Sequence, residues 1–142
     1  MARTQSKGYN PLIDTIINPE TPIGLSIAGS DSCAGAGIQA DLKTFTALGI
    51  YGLTTVTAVV AEVPQRVLQI EVMPPALVES QLGLLLETYP IVAAKTGMLP
   101  SSEQIARVAD LLGAWKQRAP WARLVVDPIL IASSGKRLVS AD

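Results

Sequence analysis

The sequence predicts an α/β fold: a mostly parallel sheet covered by helices in three layers. Three observations lead there. Strand-like apolar runs alternate with segments of helical periodicity along nearly the whole chain. The turns between them are marked by Gly and Pro. Hydrophobic residues make up 49% of the 142 positions and charged residues only 16%, enough apolar surface for a sizeable core and too little charge for a disordered chain.

In chain order, residues 1–22 read as a loose leader, broken by Asn10, Pro11, Asp14 and Pro19, and residues 23–142 as one folded unit. Ile23 to Ala28 is a short apolar run stopping at Gly29, which fits a buried strand. Gly29 to Gly37 is dense in turn residues. From Ile38, apolar residues recur at helical spacing (Leu42, Phe45, Leu48) up to the natural stop at Gly49. Tyr51 to Ala61 is rich in β-branched residues, hence a strand, and Pro64 breaks it. Val67 to Val72 alternates weakly as a short strand. Pro74 and Pro75 open a helix running from about Ala76 to Thr88, because Pro suits the first turn. Ile91 to Ala94 is a strand ending in Lys95-Thr96-Gly97-Met98. Ser101 or Ser102 caps a helix through Ile105, Val108, Leu111, Leu112 and Trp115. Leu124 to Val126 is a strand ending at Asp127-Pro128, followed by the polar turn Ser133 to Lys136.

Composition excludes several functions. Lys plus Arg total 11 against 12 Asp plus Glu, and aromatics are 4%; neither the basic field nor the stacking surface of a nucleic-acid binder is present. There is no His, which removes Ser-His-Asp triads and histidine metal sites. Cys33 is the only Cys, so no intrachain disulfide or cysteine zinc cluster can form. No apolar run reaches the ~18 residues of a membrane span, and no signal peptide is evident. A cytoplasmic protein that binds neither nucleic acid nor membrane is the expectation.

Open parallel sheets bind ligands beyond the carboxyl ends of their strands. That selects the Gly29–Gly37 loop, the Ala61–Glu62 exit, the Lys95–Met98 turn and Asp127. The first loop has neither G-x-G-x-x-G spacing nor a G-K-[ST] ending, and Asp31 would repel phosphate, so a neutral polar ligand suits it better than a nucleotide phosphate. A plain tight turn explains the same glycines equally well. Asp41, early in a helix, reads either as a dipole partner or as an acceptor for a ligand hydroxyl or amine. Lys95 reads as a solvated or paired lysine, or as a cation near transferred phosphate. Asp127 reads as a turn aspartate or as a group that places Mg²⁺.

Taken together, the segments resemble the hydroxymethylpyrimidine/phosphomethylpyrimidine kinases of thiamine synthesis, within the ribokinase-like superfamily. The resemblance is carried by I-A-G-S-D-S-C-A-G-A-G-I-Q-A-D-L-K-T-F at 27–45, L-G-I-Y-G at 48–52 and T-A-V-V-A at 57–61. It continues through K-T-G-M-L at 95–99, V-V-D-P-I-L at 125–130 and S-G-K-R-L at 134–138. It implies a ribokinase-like sheet and ATP-dependent, Mg²⁺-assisted phosphorylation of an aminopyrimidine's hydroxymethyl group and then of the monophosphate. By position it implies that Asp41 binds the pyrimidine, Gly29 lines its pocket, Met98 packs on the ring and Asp127 organises Mg²⁺ and phosphates. For the full-length form it implies a homodimer, although the sequence shows no interface.

Three departures stand out. Ala34 occupies a position where the family usually has Gly. Glu62 stands where the kinases usually place a Gln that pairs with the pyrimidine, and an ionised Glu accepts hydrogen bonds but cannot donate them. This leaves open a pyridoxine/pyridoxal kinase of the same superfamily. Finally, the resemblance runs to Asp142, roughly the midpoint of such a kinase. The catalytic base and anion hole are therefore expected C-terminal to Asp142, with no catalytic residue in this chain and no turnover by it alone. The alternatives are a non-catalytic small-molecule binding module or an unstable remnant with an exposed sheet edge.

Overall fold

The computed structural model describes residues 17–18 and 20–129. The leader before them and the polar turn at Ser133–Lys136 lie outside the described residues. The elements are β1 (Ile23–Asp31), α1 (Gly37–Ala47), β2 (Tyr51–Val63), β3 (Arg66–Val72), α2 (Pro75–Thr88), β4 (Ile91–Thr96), α3 (Ser102–Arg118) and β5 (Arg123–Val126). The strands form one sheet in the order β3-β2-β1-β4-β5. All pairings are parallel except the β2–β3 hairpin.

The three layers follow from strand alternation. Ile23, Leu25 and Ile27 point to one face, where they join Val78, Leu82, Val108, Leu112 and Trp115 of α2 and α3 in the main core. The opposite face carries Gly24 and Gly52, which lie side by side in the β1–β2 register. A Cβ on Gly52 would collide with Leu42 and Phe45, and one on Gly24 would press on Phe45. Two adjacent residues without side chains therefore let α1 sit directly on the sheet.

Ser101 proves to be the α3 cap, accepting the Gln104 amide at 3.2 Å. The first strand runs beyond its expected end at Ala28. Its register with β2 slips between Ala28 and Ser30, and pairing resumes at Ser30↔Val59 and Asp31↔Val60. The extra residue lies on β2, where Thr57 and Ala58 stand against Gly29 alone, so Gly29 belongs to a strand that continues rather than ending it. At the far edge, β5 leaves Val125 and Val126 exposed.

Candidate functional site

A cavity of about 500 Å³ opens at the carboxyl ends of β1, β2 and β4. Gly29, Asp31, Glu62, Arg66, Lys95 and Met98 are among its lining residues. The tip of the β2–β3 hairpin, with Pro64 and Gln65, forms the far wall. Gln65 takes the turn with φ +69.

The near wall is the loop after β1, and Asp31 organises it. Its Oδ1 accepts the Cys33 amide at 2.8 Å and the Cys33 thiol at 3.0 Å. Its Oδ2 accepts the amides of Gly35 (2.9 Å) and Ala36 (2.8 Å). Burial works against the charge, but these four donors outweigh it and hold the Asp31 carboxyl below its usual pKa. The hydrogen bond to Asp31 pushes the Cys33 thiol up, which disfavours its thiolate form. Two left-handed residues complete the loop: Ala34 at φ +57 and Gly37 at φ +57. At Gly37 a side chain is impossible, because a Cβ would collide with the Gly29 carbonyl. Sequence reasoning treated Asp31 only as a repulsive charge; an Asp placed two, four and five residues before free amides in a turn was the available signal.

The hairpin is pinned to this loop. The Ser32 hydroxyl donates to the Glu62 carbonyl (2.6 Å) and accepts the Glu62 amide (2.8 Å). Desolvation, the Asp31 charge and a hydrogen bond to Asp31 raise the Glu62 carboxyl above its usual pKa.

Met98 enters from the β4 side, its thioether against Gly29. Its carbonyl accepts the Thr57 hydroxyl at 2.7 Å. Gln104, fully buried at the start of α3, donates to the carbonyls of Thr57 (3.1 Å) and Met73 (2.7 Å). Helical periodicity gave no reason to single out this glutamine.

Beneath the cavity, the Lys95 ammonium lies 3.1 Å from Asp41 Oδ2 and 3.9 Å from Asp127 Oδ2. Ser26 donates to Asp41 at 2.5 Å. The structure therefore brings Gly29, Glu62, Met98 and Lys95 together on the cavity wall. Asp41 lies behind Lys95 and Asp127 to its side; neither is on the wall. Among the described residues, no cluster of three or more His, Cys, Asp or Glu is arranged to hold a metal, and no helix is long and apolar enough to cross a membrane.

Residues 31–142 match the family model described as phosphomethylpyrimidine kinase. The chain belongs to the phosphomethylpyrimidine kinase family. It is 44% identical to the hydroxymethylpyrimidine/phosphomethylpyrimidine kinase of Rhizobium meliloti over 86% of its own length and 44% of the relative's. A similar fold occurs in the phosphomethylpyrimidine kinase from Clostridium difficile 630 (TM-score 0.75, 39% identity), covering 85% of this chain and 51% of that one. The Staphylococcus aureus pyridoxal kinase, solved with AMP-PCP and pyridoxal, is also similar (TM-score 0.64, 38% identity), with 77% of this chain and 40% of that one covered. The chain thus spans about half the length of these family members or less, and its three-layer sheet is the corresponding part of the ribokinase-like fold.

Proposed function

We propose that this chain carries the substrate-binding half of an ATP-dependent kinase acting on 4-amino-5-hydroxymethyl-2-methylpyrimidine and its monophosphate in thiamine biosynthesis. One observation supports the reading: Gly29, Glu62 and Met98, for which the sequence resemblance implies substrate contact, all line the same cavity. Met98 offers an apolar surface for the ring and Glu62 a polar edge. Lys95, paired with Asp41 and Asp127, is a cation on the cavity wall that could face a phosphate.

Asp127 fits a Mg²⁺ role: it is a half-exposed single carboxylate just after β5, and Mg²⁺ is typically held by one or two carboxylates together with waters and substrate phosphates. Bound there, the ion would neutralise phosphate charge. Phosphoryl transfer depends on positioning and charge stabilisation by a complete site, so the 142-residue chain is expected to bind pyrimidine without turning it over. A cytoplasmic location and a homodimeric full-length form belong to the same proposal.

A second reading, a pyridoxine/pyridoxal kinase, is favoured by Glu62 and by the likeness to the pyridoxal-bound structure. Calorimetry of the purified chain separates the alternatives. Binding of the hydroxymethylpyrimidine but not pyridoxal, with no ATP-dependent turnover, is the expected result. Preference for pyridoxal supports the second reading, and robust turnover overturns the half-site reading.

A further inference from the structure

Glu62 and Asp31 present two carboxyls side by side on the cavity wall. Asp31 accepts four hydrogen bonds from its own loop, which hold its charge beside Glu62. No Lys or Arg forms an ion pair with either residue among the described residues. The other titratable groups on the wall are Cys33 on the loop, Arg66 on β3 and Lys95 on β4, and Lys95 is already engaged by Asp41 and Asp127. Ser32 holds the Glu62 backbone from both sides, fixing the origin of this side chain at the cavity.

A 4-aminopyrimidine edge carries an amine donor beside a ring-nitrogen acceptor. An ionised carboxylate facing that edge gains one hydrogen bond and sets its other oxygen against a lone pair. One added proton removes the conflict. On the carboxyl it gives an O–H donor beside a C=O acceptor, the pattern of a glutamine amide; on the ring nitrogen it gives a carboxylate paired with two N–H donors. The proton count is the same either way.

Resting on the pyrimidine reading above, we infer that Glu62 recognises the aminopyrimidine as a proton-sharing pair, so that binding takes up one proton from solvent and dissociation returns it. No covalent bond forms or breaks apart from those to that proton. The Asp31 charge beside Glu62 strengthens the carboxyl's hold on the proton and so lowers the cost of uptake near neutral pH.

The test is calorimetry of the 142-residue chain with the hydroxymethylpyrimidine at pH 8, in two buffers of different ionisation enthalpy. The wild-type chain should take up about one proton per ligand bound, and its Kd should rise about tenfold per pH unit above the Glu62 pKa. Glu62→Gln should bind with almost no proton uptake and a flat pH profile. Wild-type binding without proton uptake, or the same uptake in Glu62→Gln, overturns this inference while leaving the pyrimidine reading intact. Absence of pyrimidine binding by both proteins overturns the pyrimidine reading and this inference with it. Because the wild-type measurement decides the central point, the outcome does not depend on the variant folding.

Discussion

The Lys95 ammonium bridges Asp41 at 3.1 Å and Asp127 at 3.9 Å, joining residues from α1, β4 and the exit of β5 beneath the cavity. Asp41 reaches the cavity through Lys95 rather than lining it. Asp41→Asn and Lys95→Met are therefore expected to weaken pyrimidine binding by similar factors, roughly tenfold each, and the double variant to lose little more than either single one. Additive losses in calorimetry would instead show Asp41 touching the ligand independently.

Ala34 holds φ +57 in the loop after β1, a conformation that costs a residue with a Cβ roughly 1–2 kcal/mol. Ala34→Gly should raise stability by about 1 kcal/mol, less the entropy that glycine adds to the unfolded chain. Urea unfolding measures it, and a lower midpoint for the variant contradicts the strain argument.

The Asp31–Glu62 pair gives stability two opposing slopes with pH. The folded pKa of Asp31 is depressed, so its contribution is present above its unfolded value of 3.8 and is lost as pH falls through the folded value. The folded pKa of Glu62 is raised, so its contribution is full below 4.5 and is lost as pH rises through the folded value. Glu62→Gln should abolish the fall above pH 4.5, and Asp31→Asn should flatten the rise below 3.8. Urea midpoints across this range that are unchanged in both variants would refute the assignment.

Gln104 supplies the only side-chain hydrogen bonds to the Thr57 and Met73 carbonyls among the described residues. Gln104→Leu removes the donor to the Met73 carbonyl, while the Thr57 carbonyl keeps the Met73 amide, and should cost about 1–3 kcal/mol. It should also weaken pyrimidine binding, because Thr57 fixes Met98. Unchanged unfolding and binding curves would show that the network is dispensable.

Most of the fold was legible because each strand is a short β-branched run bounded by Gly or Pro, and parallel crossovers leave few alternatives once their order is known. The extension of β1 past Gly29 was not, since a bulge depends on the register of β2 rather than on local composition. At the site, Gly29, Glu62, Lys95 and Met98 could be located because strand ends mark the binding edge. The Asp41–Lys95 pair spans 54 positions and exists only once α1 lies against the sheet, so no local pattern reports it. The loop-organising role of Asp31 was missed although its spacing to the Cys33, Gly35 and Ala36 amides is local, because glycine-rich turns of this kind were read for their glycines rather than for an amide acceptor.

The strand order carries a cost during synthesis. Among the described strands β1 is made first, yet it lies between β2 and β4 in the finished sheet. Its second edge cannot close until Ile91–Thr96 has left the ribosome, some 60 residues after Asp31. At about 5–20 residues per second that leaves the most deeply buried strand among the described residues half-paired for roughly 3–12 s. A nascent chain in this interval is an expected client for chaperones that shield open sheet edges.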